Sequence, residues 1–362
     1  MAIGDEIKSI VKKYDKNKIR IATLGSHSAL NILKGAKEEG FKTLCICIEG
    51  QERIYKKYKV ADDFLFVEQF SDILDDKIQE KLRKNNLVIV PHGSFNAYID
   101  TKKMENDFIV PMIGNRSLLR WETSRKLQRE WLQKAGVKVP KLYKSAEDID
   151  SLVFVKFPGA RGGKGYFIVD SEKEYYRKMK DMIKRGLINK EDVKHAYIQE
   201  YIIGVSIYPH YFYSPLEEDI ELLSVDKRYE SSVDGISRIP VPEQLARKLN
   251  PSFTIVGNFP MVVRESLLTE MIEIGDKIVE ASKKIAPPGV IGPFCLETIC
   301  TENLNIVAFE ISARIVAGCN VAMGGSSPYS YILYNEPMYM GKRISRELKN
   351  AIKAKRLTDV VT

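Results

Sequence analysis

The stretch that decides the fold of this chain covers residues 153–170 and reads VFVKFPGARGGKGYFIVD. It begins with an apolar β-type run that carries Lys156, continues through a glycine-rich segment at 159–165, and ends in the β-type run 166–169. This order predicts a β-hairpin with a glycine-rich tip. Because glycine has no Cβ to oppose a positive φ, such a tip can turn its backbone N–H groups inward around an anion. The stretch therefore predicts a lid over a nucleotide, with Lys156 and Lys164 supplying positive charge to its phosphates.

A nucleotide-binding P-loop is the first alternative for this segment. That loop requires Gly-Lys-Ser or Gly-Lys-Thr followed by a helix. Here Lys164 precedes Gly165, and a β-type run follows, so the P-loop is excluded. A basic hairpin tip without a ligand, charged by Arg161 and Lys164, is the second alternative, and the segment alone leaves it open.

Composition places the chain among globular proteins. Its 362 residues suffice for two or three domains, with 44% of them hydrophobic and 29% charged. The sequence has no apolar run of about eighteen residues and no apolar region of a signal peptide at its start. The five cysteines follow neither a disulfide nor a zinc pattern. We therefore expect a cytoplasmic protein with no membrane partner.

The net charge of +8 indicates an anionic partner. Basic residues are spread along the chain among acidic ones rather than collected in one tract. This distribution favours small phosphorylated molecules over nucleic acid, and we expect no nucleic-acid partner.

The N-terminal region alternates strands and helices, which predicts a parallel sheet. Residues 19–24 and 43–48 are typical of strands, and the helical pattern 29–39 lies between them. Ligands of such sheets lie beyond the carboxyl ends of the strands, where this chain has two loops, GSHS at 25–28 and PHGSF at 91–95. Neither loop matches GxGxxG, so a dinucleotide site is not expected. Their hydroxyls, histidines and backbone donors suit a phosphate or a polar ring, and ordinary turn chemistry remains the alternative for each.

A second pattern, FCLETICTENLNIVAFEIS at 294–312, predicts two strands joined by a polar turn. If a two-residue loop joins them at 303–304, Glu297 and Glu310 lie directly opposite each other on one face. Like charges in that position repel, and a divalent cation would relieve the repulsion. The inference depends on the register, because an odd-length loop would place the two side chains on opposite faces. One exposed and one salt-bridged glutamate is the alternative.

These features, taken in order, resemble the ATP-grasp ligases over most of residues 118–330. A helix at about 118–135 ends before the sequence GVKVP at 136–140, and the lysine, the lid, the segment QEYIIG at 199–204 and the two acids follow. The resemblance implies an α/β fold with α+β elements. It consists of an N-terminal Rossmann-like parallel-sheet domain at 1–120 that binds substrate, and an ATP-grasp domain at 121–362. The mobile glycine-rich lid would belong to a subdomain at about 141–200.

The resemblance also implies a role for each motif. The phosphates of ATP, the co-substrate, would be held by the strand that carries Lys156 and by the lid. The adenine would be held by the backbone of the segment 199–204, which we call the hinge. The residues implied for ATP are Lys156, Gly162, Gly163, Lys164, Gln199, Glu200, Tyr201, Ile202 and, as the acid near the ribose, Glu230. Glu297 and Glu310 would hold Mg²⁺ or Mn²⁺, and Arg314 would stabilise phosphate together with Lys156. The chain departs from the superfamily at Ser312, where an asparagine usually serves as a further metal ligand.

Other segments resemble one family within the superfamily, the archaeal formate-dependent FAICAR synthetases. They are GSHSALNILKGAKEEGF, PHGSF, RYESSVDGISRIP, VGNFP and ISARIVAGCN. The resemblance implies a ligase that joins formate to the amine of AICAR (5-aminoimidazole-4-carboxamide ribotide) in purine biosynthesis, with ATP cleaved to ADP and phosphate. His27, Ser94 and Asn258 match that family's AICAR site. An ATP-grasp ligase for another carboxylate and amine, a non-catalytic nucleotide sensor, and the formation of a homo-oligomer all stay open.

Overall fold

A computed structural model describes residues 3–157, 166–246 and 253–362. The helices are α1 (Ile3–Lys13), α2 (Ala29–Glu38), α3 (Glu52–Lys57), α4 (Asp76–Lys84), α5 (Gly93–Tyr98), α6 (Thr101–Asn106), α7 (Arg116–Thr123), α8 (Arg125–Lys134), α9 (Glu172–Lys184), α10 (Lys190–Lys194), α11 (Val233–Ile236), α12 (Val241–Ala246), α13 (Leu268–Ile285), α14 (Pro328–Tyr334) and α15 (Met340–Lys353). The strands are β1 (Arg20–Leu24), β2 (Lys42–Ile48), β3 (Asp63–Val67), β4 (Leu87–Ile89), β5 (Leu142–Tyr143), β6 (Val153–Lys156), β7 (Tyr166–Val169), β8 (Tyr197–Glu200), β9 (Val205–Ser214), β10 (Asp219–Ser232), β11 (Phe253–Pro260), β12 (Gly292–Cys300) and β13 (Ile306–Ser312). Short 3₁₀ helices lie at Phe70–Leu74, Ala146–Asp148, Glu265–Leu267, Ala317–Ala322 and Leu357–Asp359.

The first sheet is parallel and has the strand order β3-β2-β1-β4, which confirms the expected N-terminal parallel sheet. Its strands are nearly continuous apolar runs because helices cover both faces. Strands β1 and β4 are neighbours, so their carboxyl ends meet at one edge. The loops at 25–28 and 91–95 therefore emerge side by side.

The second sheet is antiparallel, with the order β5-β8-β6-β7, and contains the predicted hairpin. Strands β6 and β7 pair with Lys156 opposite Tyr166. The glycine-rich tip, including Gly162, Gly163 and Lys164, lies outside the described residues.

The third sheet is antiparallel, with the order β11-β10-β9-β12-β13, and carries the two glutamates. The prediction of a two-residue turn between β12 and β13 is wrong, because residues 301–305 separate the strands. Glu297 is nevertheless directly opposite Glu310, while its neighbour Thr298 is opposite Ala308. The register shift leaves Phe309 as an extra residue on β13. This bulge cancels the effect of the odd-length turn and returns Glu310 to the face of Glu297.

The helix expected at 118–135 is also different in the structure. Two helices, α7 and α8, occupy this region and meet at Ser124. Ser124 has an extended backbone, and its side chain accepts a hydrogen bond from the Leu127 N–H. A serine that caps a new helix in this way stabilises an interruption between two helices. Hydrophobic periodicity alone predicts one continuous helix there.

Helices α2 and α15 join the first sheet to the C-terminal part of the chain. Their backbones approach so closely that a Cβ built on Gly341 would lie 2.1 Å from the Asn31 carbonyl oxygen, and one on Gly35 would lie 2.2 Å from Gly341. The Asn31 side chain also bridges the two elements, because it accepts from the Gly341 N–H and donates to the Cys319 carbonyl. Glycine is therefore required at this crossing for steric reasons.

We predict that Gly341→Ala lowers the melting temperature, because the added methyl must separate the two helices. Overpacking of this kind costs about 1–3 kcal/mol. Gly4→Ala is the matched control, since Gly4 is also helical and a Cβ there meets nothing within 4 Å. Thermal unfolding of both variants checks the prediction, and equal melting temperatures would contradict it.

Candidate active site

One face of the third sheet gathers most of the acidic and basic groups of the site. Side chains two residues apart on a strand share a face, and directly opposed residues on neighbouring strands lie beside one another. Glu297 is opposite Glu310, and Arg228 on β10 is opposite Asn258 on β11. The sheet thus collects residues that are up to 82 positions apart in the chain.

Arg228 binds the first of the two glutamates. Its two terminal nitrogens donate to the two carboxylate oxygens of Glu297, one of them at 2.8 Å. The guanidinium also stacks on the Tyr208 ring, with 4.0 Å from Cζ to the ring centroid. A bidentate pair that is also stacked holds the carboxylate in one orientation. The alternative of one exposed and one salt-bridged glutamate is therefore realised, with Glu297 salt-bridged and Glu310 exposed.

The Glu310 carboxylate has no hydrogen bond or ion pair with any of the described residues. It stays accessible to solvent although protein surrounds it closely, as on the floor of a cleft. The negative charge of Glu297, with burial as the second cause, raises the pKa of Glu310. The repulsion predicted from the sequence is thus present, and Arg228 offsets only part of it.

Lys156 approaches the acids from the second sheet. Its Nζ is 3.4 Å from the Gln199 side-chain oxygen and 4.8 Å from the centroid of the Phe154 ring. Burial and the positive charge of Arg125 lower the pKa of Lys156, while Glu310 and Glu297 act in the opposite direction. Lys156, Arg125 and Glu310 also line one small cavity of about 40 Å³. The second and third sheets therefore face each other across this cleft, where Lys156 of the second sheet and Arg125 of α8 lie near the acids of the third sheet.

A second cavity, of about 180 Å³, begins at Lys156 and extends along the hinge. Its walls combine apolar side chains with the hinge segment, namely Pro140, Phe154, Gln199, Glu200, Tyr201, Ile202, Gly204, Ser206, Ile299 and Phe309. The Glu200 carboxylate accepts a hydrogen bond from the Lys141 N–H, and the Tyr201 N–H donates to the Leu152 carbonyl. These bonds fix the hinge, while the Ile202 N–H has no hydrogen-bond partner among the described residues. The cavity has the shape and lining that a flat, polar-edged ring requires.

Glu230 lies farther along β10, between the acids and the hairpin. Burial, followed by the charges of Asp234 and Glu297, raises its pKa, and Arg228 opposes the shift. Burial and the charge of Glu230 together raise the pKa of Tyr166 to about 12. Glu230 therefore lies close enough to Tyr166, the first residue of β7, for the two groups to interact electrostatically.

The two N-terminal loops bring their histidines together. The rings of His27 and His92 are stacked, with centroids 5.4 Å apart. His92 donates through Nε2 to the Leu24 carbonyl at 2.9 Å and accepts through Nδ1 from the Ser94 N–H at 3.2 Å, which places Ser94 at the same point. Burial, with neighbouring positive charge as the next cause, lowers the pKa of His92 to about 3 and that of His27 to about 4. Both rings are therefore neutral at physiological pH.

His27 also has a backbone conformation that is unusual for a residue with a side chain, with φ of +50°. Its Nδ1 lies 2.7 Å from the Ser28 hydroxyl, and its Nε2 would be 2.7 Å from a Cβ on Gly93. Strained residues of this kind occur preferentially at functional sites. Gly93 is thus needed so that the second loop can lie against the His27 ring.

Arg314 belongs to this histidine cluster as much as to the acid pair. Its terminal nitrogen is 2.7 Å from the Glu122 carboxylate, and its charge contributes to the lowered pKa values of both histidines. Its Nε is buried and has no partner among the described residues. A parallel bridge between His92 and Ile315 fixes Arg314 beside the second loop.

Asn258 is connected to the rest through Asp226. Its side-chain nitrogen donates to Asp226 at 2.6 Å, and Asp226 lies 2.7 Å from the buried His210. The 3₁₀ helix Ala317–Ala322, which follows Arg314, packs on this group at Gly318. The structure therefore brings His27 and Ser94 together directly and reaches Asn258 through the segment 314–318.

Sequence reasoning missed four residues of the site: Arg125, His92 as a ring partner, Asp226 and Arg228. Arg228 stands within the segment RYESS, two residues before Glu230, so strand alternation could have placed it on the same face. Arg125 gave no such signal, because its electrostatic effect on Lys156 depends on how α8 packs against β13 of the third sheet.

Residues 3–157, 166–246 and 253–362 contain neither a cluster of three metal-ligating side chains nor a membrane-spanning helix. Nowhere in these ranges do three or more His, Cys, Asp or Glu side chains converge as a metal site. Within the same ranges, every helix is too short or too polar to cross a membrane. Two carboxylates alone are a set that suits Mg²⁺ only when substrate phosphates complete its coordination.

We predict that Glu310→Gln raises the melting temperature of the metal-free protein at pH 8. A carboxyl group whose pKa is raised by folding destabilises the folded state above that pKa, because the unfolded chain ionises more readily. The difference from wild type should shrink as the pH falls towards about 4, where both states of Glu310 are protonated.

Thermal unfolding in chelator at several pH values checks this prediction. Glu302→Gln is the control, since Glu302 is exposed in the turn of the same hairpin. A stabilisation of Glu310→Gln that does not depend on pH would contradict the electrostatic explanation.

Comparison with known proteins supplies the family. A family model described as "Protein of unknown function (DUF1246)" matches residues 21–143, and one described as "Domain of unknown function (DUF1297)" matches residues 174–362. A curated protein of Methanocaldococcus jannaschii, named 5-formaminoimidazole-4-carboxamide-1-(beta)-D-ribofuranosyl 5'-monophosphate synthetase, is 53% identical over 362 residues. The match covers 100% of each chain.

Solved structures support the same family and fold. The crystal structure of an IMP biosynthesis protein, PurP, from Thermococcus kodakaraensis has a TM-score of 0.74 and 33% identity, over 94% of this chain and 100% of that chain. The biotin carboxylase domain of 2-oxoglutarate carboxylase from Hydrogenobacter thermophilus, solved with MgADP, ADP and bicarbonate, shares only the fold. It has a TM-score of 0.57 and 15% identity, over 86% of this chain and 71% of that chain. Because the full-length curated relative is 53% identical, the chain belongs to the family of FAICAR (5-formaminoimidazole-4-carboxamide ribotide) synthetases, which have the ATP-grasp fold.

Proposed function

We propose that this protein is an ATP-dependent ligase that formylates AICAR to FAICAR, with release of ADP and phosphate, in the biosynthesis of IMP. The observation that carries the proposal is the full-length match to a named FAICAR synthetase. The cleft supports it, because Lys156 of the second sheet and Arg125 of α8 lie near the paired acids of the third sheet, beside a cavity of suitable size for a base.

The nucleotide occupies the cleft between the second and third sheets in this proposal. The adenine lies in the cavity along the hinge, where the Ile202 N–H can donate to a ring nitrogen. Lys156 and Arg125 meet the phosphates, and Glu230 accepts from the ribose hydroxyls. Gly162, Gly163 and Lys164 keep their proposed role as the lid over the phosphates, although they lie outside the described residues.

The acid pair fits a divalent cation, Mg²⁺ or Mn²⁺, that is shared with substrate phosphates. Glu310 carries a carboxylate with no protein partner among the described residues, and the negative charge of Glu297 keeps it in need of a counter-charge. Glu297 already has Arg228 as partner, so Glu310 would be the primary ligand and Glu297 the weaker one. A bound ion would offset the negative charge on the transferring phosphoryl group.

The reaction proceeds in two steps that need no covalent bond to the protein. A formate oxygen attacks the γ-phosphorus of ATP, the bond to the bridging oxygen breaks, and ADP leaves. The AICAR amine then attacks the formyl carbon, the bond from that carbon to the phosphate oxygen breaks, and phosphate leaves as the amine loses its proton to water. Lys156 and Arg125 contribute by positioning the phosphates and neutralising their charge.

The AICAR site lies at the meeting point of the two N-terminal loops and the 314–318 segment. His27 and Ser94 contact the ribotide in this proposal, and the positive charge of Arg314 beside them stabilises formate or its phosphate. A histidine with a pKa of about 4 is a weak base, so His27 acts as a hydrogen-bonding group rather than as the proton acceptor. In this division of labour, residues 1–120 present AICAR and residues 121–362 activate formate.

We predict that ADP release requires formate and AICAR together, or is strongly increased by AICAR. The assay measures ADP with ATP, magnesium and formate, with and without AICAR. Folate-bound formyl groups should be unnecessary, because the ATP site can activate free formate. Turnover with another carboxylate, and none with formate, would show that the protein is an ATP-grasp ligase of different specificity.

We predict that one oxygen of formate appears in the phosphate that is released. Phosphoryl transfer attaches that oxygen to phosphorus, and attack by the amine then breaks its bond to carbon. Oxygen-18 formate should therefore place one label in each phosphate formed during coupled turnover, as measured by mass spectrometry. Phosphate without label at full conversion to FAICAR would exclude the formyl phosphate intermediate, provided that uncoupled ATP hydrolysis is measured in parallel.

A further inference from the structure

A buried hydrogen-bonded chain runs from the interior of the third sheet to Asn258. His210 on β9 is completely buried and Asp226 on β10 is 1% exposed. His210 Nε2 lies 2.7 Å from one Asp226 oxygen, and the other oxygen accepts from the Asn258 amide at 2.6 Å. Among the described residues, Asp226 is the hydrogen-bond partner of His210 Nε2, the Cys295 and Cys319 thiols also act on the imidazole, and Nδ1 has no partner with hydrogen-bond geometry. His210 therefore orients Asp226, and Asp226 orients Asn258.

The surroundings are built to accommodate this chain. A Cβ on Gly318 would lie 2.3 Å from an Asp226 oxygen and 2.7 Å from His210 Cε1, so any other residue there would displace the pair. A buried polar group that is only partly satisfied, as His210 is at Nδ1, is costly to stability. Since none of these three side chains links two elements that the sheet does not already join, stability alone does not explain them.

The chemistry of the chain fixes the orientation of the Asn258 amide. An ionised carboxylate only accepts hydrogen bonds, so Asn258 must turn its NH₂ group towards Asp226. Its carbonyl oxygen must then point away from Asp226. Asn258 is half-buried and directly opposite Arg228, the residue that holds Glu297, so Asn258 is on the face of the sheet that carries the acid pair. The oxygen that is turned away from Asp226 is then the group that Asn258 can offer on this face.

We propose that His210 and Asp226 are positioning residues that fix Asn258 so that it offers a hydrogen-bond acceptor, and not a donor, to the substrate. The matching group on the substrate is an N–H or O–H donor. This inference rests on the proposed function, since the donor in question belongs to AICAR. In this inference, the buried pair of His210 and Asp226 determines that Asn258 presents an acceptor, and not a donor, at the AICAR site.

Asp226→Asn is the decisive substitution, because it reverses the chain with almost no change in shape. The Nε2–H of His210 keeps the new amide oxygen on its side, so the new NH₂ group faces Asn258. Asn258 must then turn its oxygen inwards and its NH₂ towards the substrate. We expect the KM for AICAR to rise about tenfold or more, since two donors then face each other, while the KM for ATP and the melting temperature stay close to wild type.

A swapped pair provides the rescue. In Asp226→Asn/Asn258→Asp, the amide at 226 donates to the carboxylate at 258, whose other oxygen is again an acceptor in the cleft. The KM for AICAR should fall back towards the wild-type value, whereas Asn258→Asp alone sets two carboxylates in contact and should be the worst of the three. A double variant that is more damaged than Asp226→Asn, or an unchanged KM in Asp226→Asn, would overturn the inference.

A second pair of variants keeps the test valid if Asp226→Asn does not fold. His210→Gln retains an N–H donor for Asp226, and His210→Leu removes it. The inference expects a raised KM for AICAR in His210→Leu and a smaller effect in His210→Gln, and equal effects would contradict it. Failure of the proposed function is distinct, because the wild type would then use a different amine, and the same comparison would be run with that amine.

Discussion

Repulsion between two carboxylates on one hairpin is the constraint on which the rest of the site depends. Glu297 and Glu310 are directly opposite, where like charges destabilise a sheet. Arg228 binds both oxygens of Glu297 and stacks on Tyr208, so one of the two charges is matched within the protein. The other charge, on Glu310, is left for whatever enters the cleft, and its raised pKa records the repulsion that remains.

The strand that supplies Arg228 also carries two other polar residues of the site. Strand β10 is 14 residues long and carries Asp226, Arg228 and Glu230 at alternating positions on one face. Asp226 accepts a hydrogen bond from Asn258, Arg228 binds Glu297, and Glu230 interacts electrostatically with Tyr166. A change in the register of β10 would therefore disturb all three functions together. The pairing of β10 is irregular at two points, between Leu222 and Ser224, before these residues, and between Tyr229 and Glu230, within them.

The N-terminal sheet contributes through its edge and not through its core. The loops after β1 and β4 meet because these strands are neighbours, and the His92–Ile315 bridge ties them to the segment that carries Arg314. Close packing of α2 on α15 holds the two parts in place. Two neutral histidines and an arginine thus lie together, a combination that binds anionic and polar groups without adding a proton acceptor of useful basicity.

Local pattern was enough to predict the parallel sheet, the hairpin around Lys156 and the opposition of Glu297 and Glu310, because alternation, periodicity and turn residues act over short distances. It was also enough to place His27 and Ser94 in loops at one sheet edge. The turn at 301–305 shows the limit, since the predicted pairing was right for a wrong reason and depended on a bulge at Phe309 that no local signal announces. The break at Ser124 was missed in the same way.

What the sequence by itself determined is the set of chemical groups and the strands that carry them. The tertiary structure alone decided the partners: Arg228 for Glu297, Arg125 beside Lys156, and His210 and Asp226 behind Asn258. The physical reason is that a charge or a hydrogen bond acts over a few ångströms in space, while these partners are separated by 16 to 69 residues along the chain. Only the packing of sheets and helices brings such groups within that range.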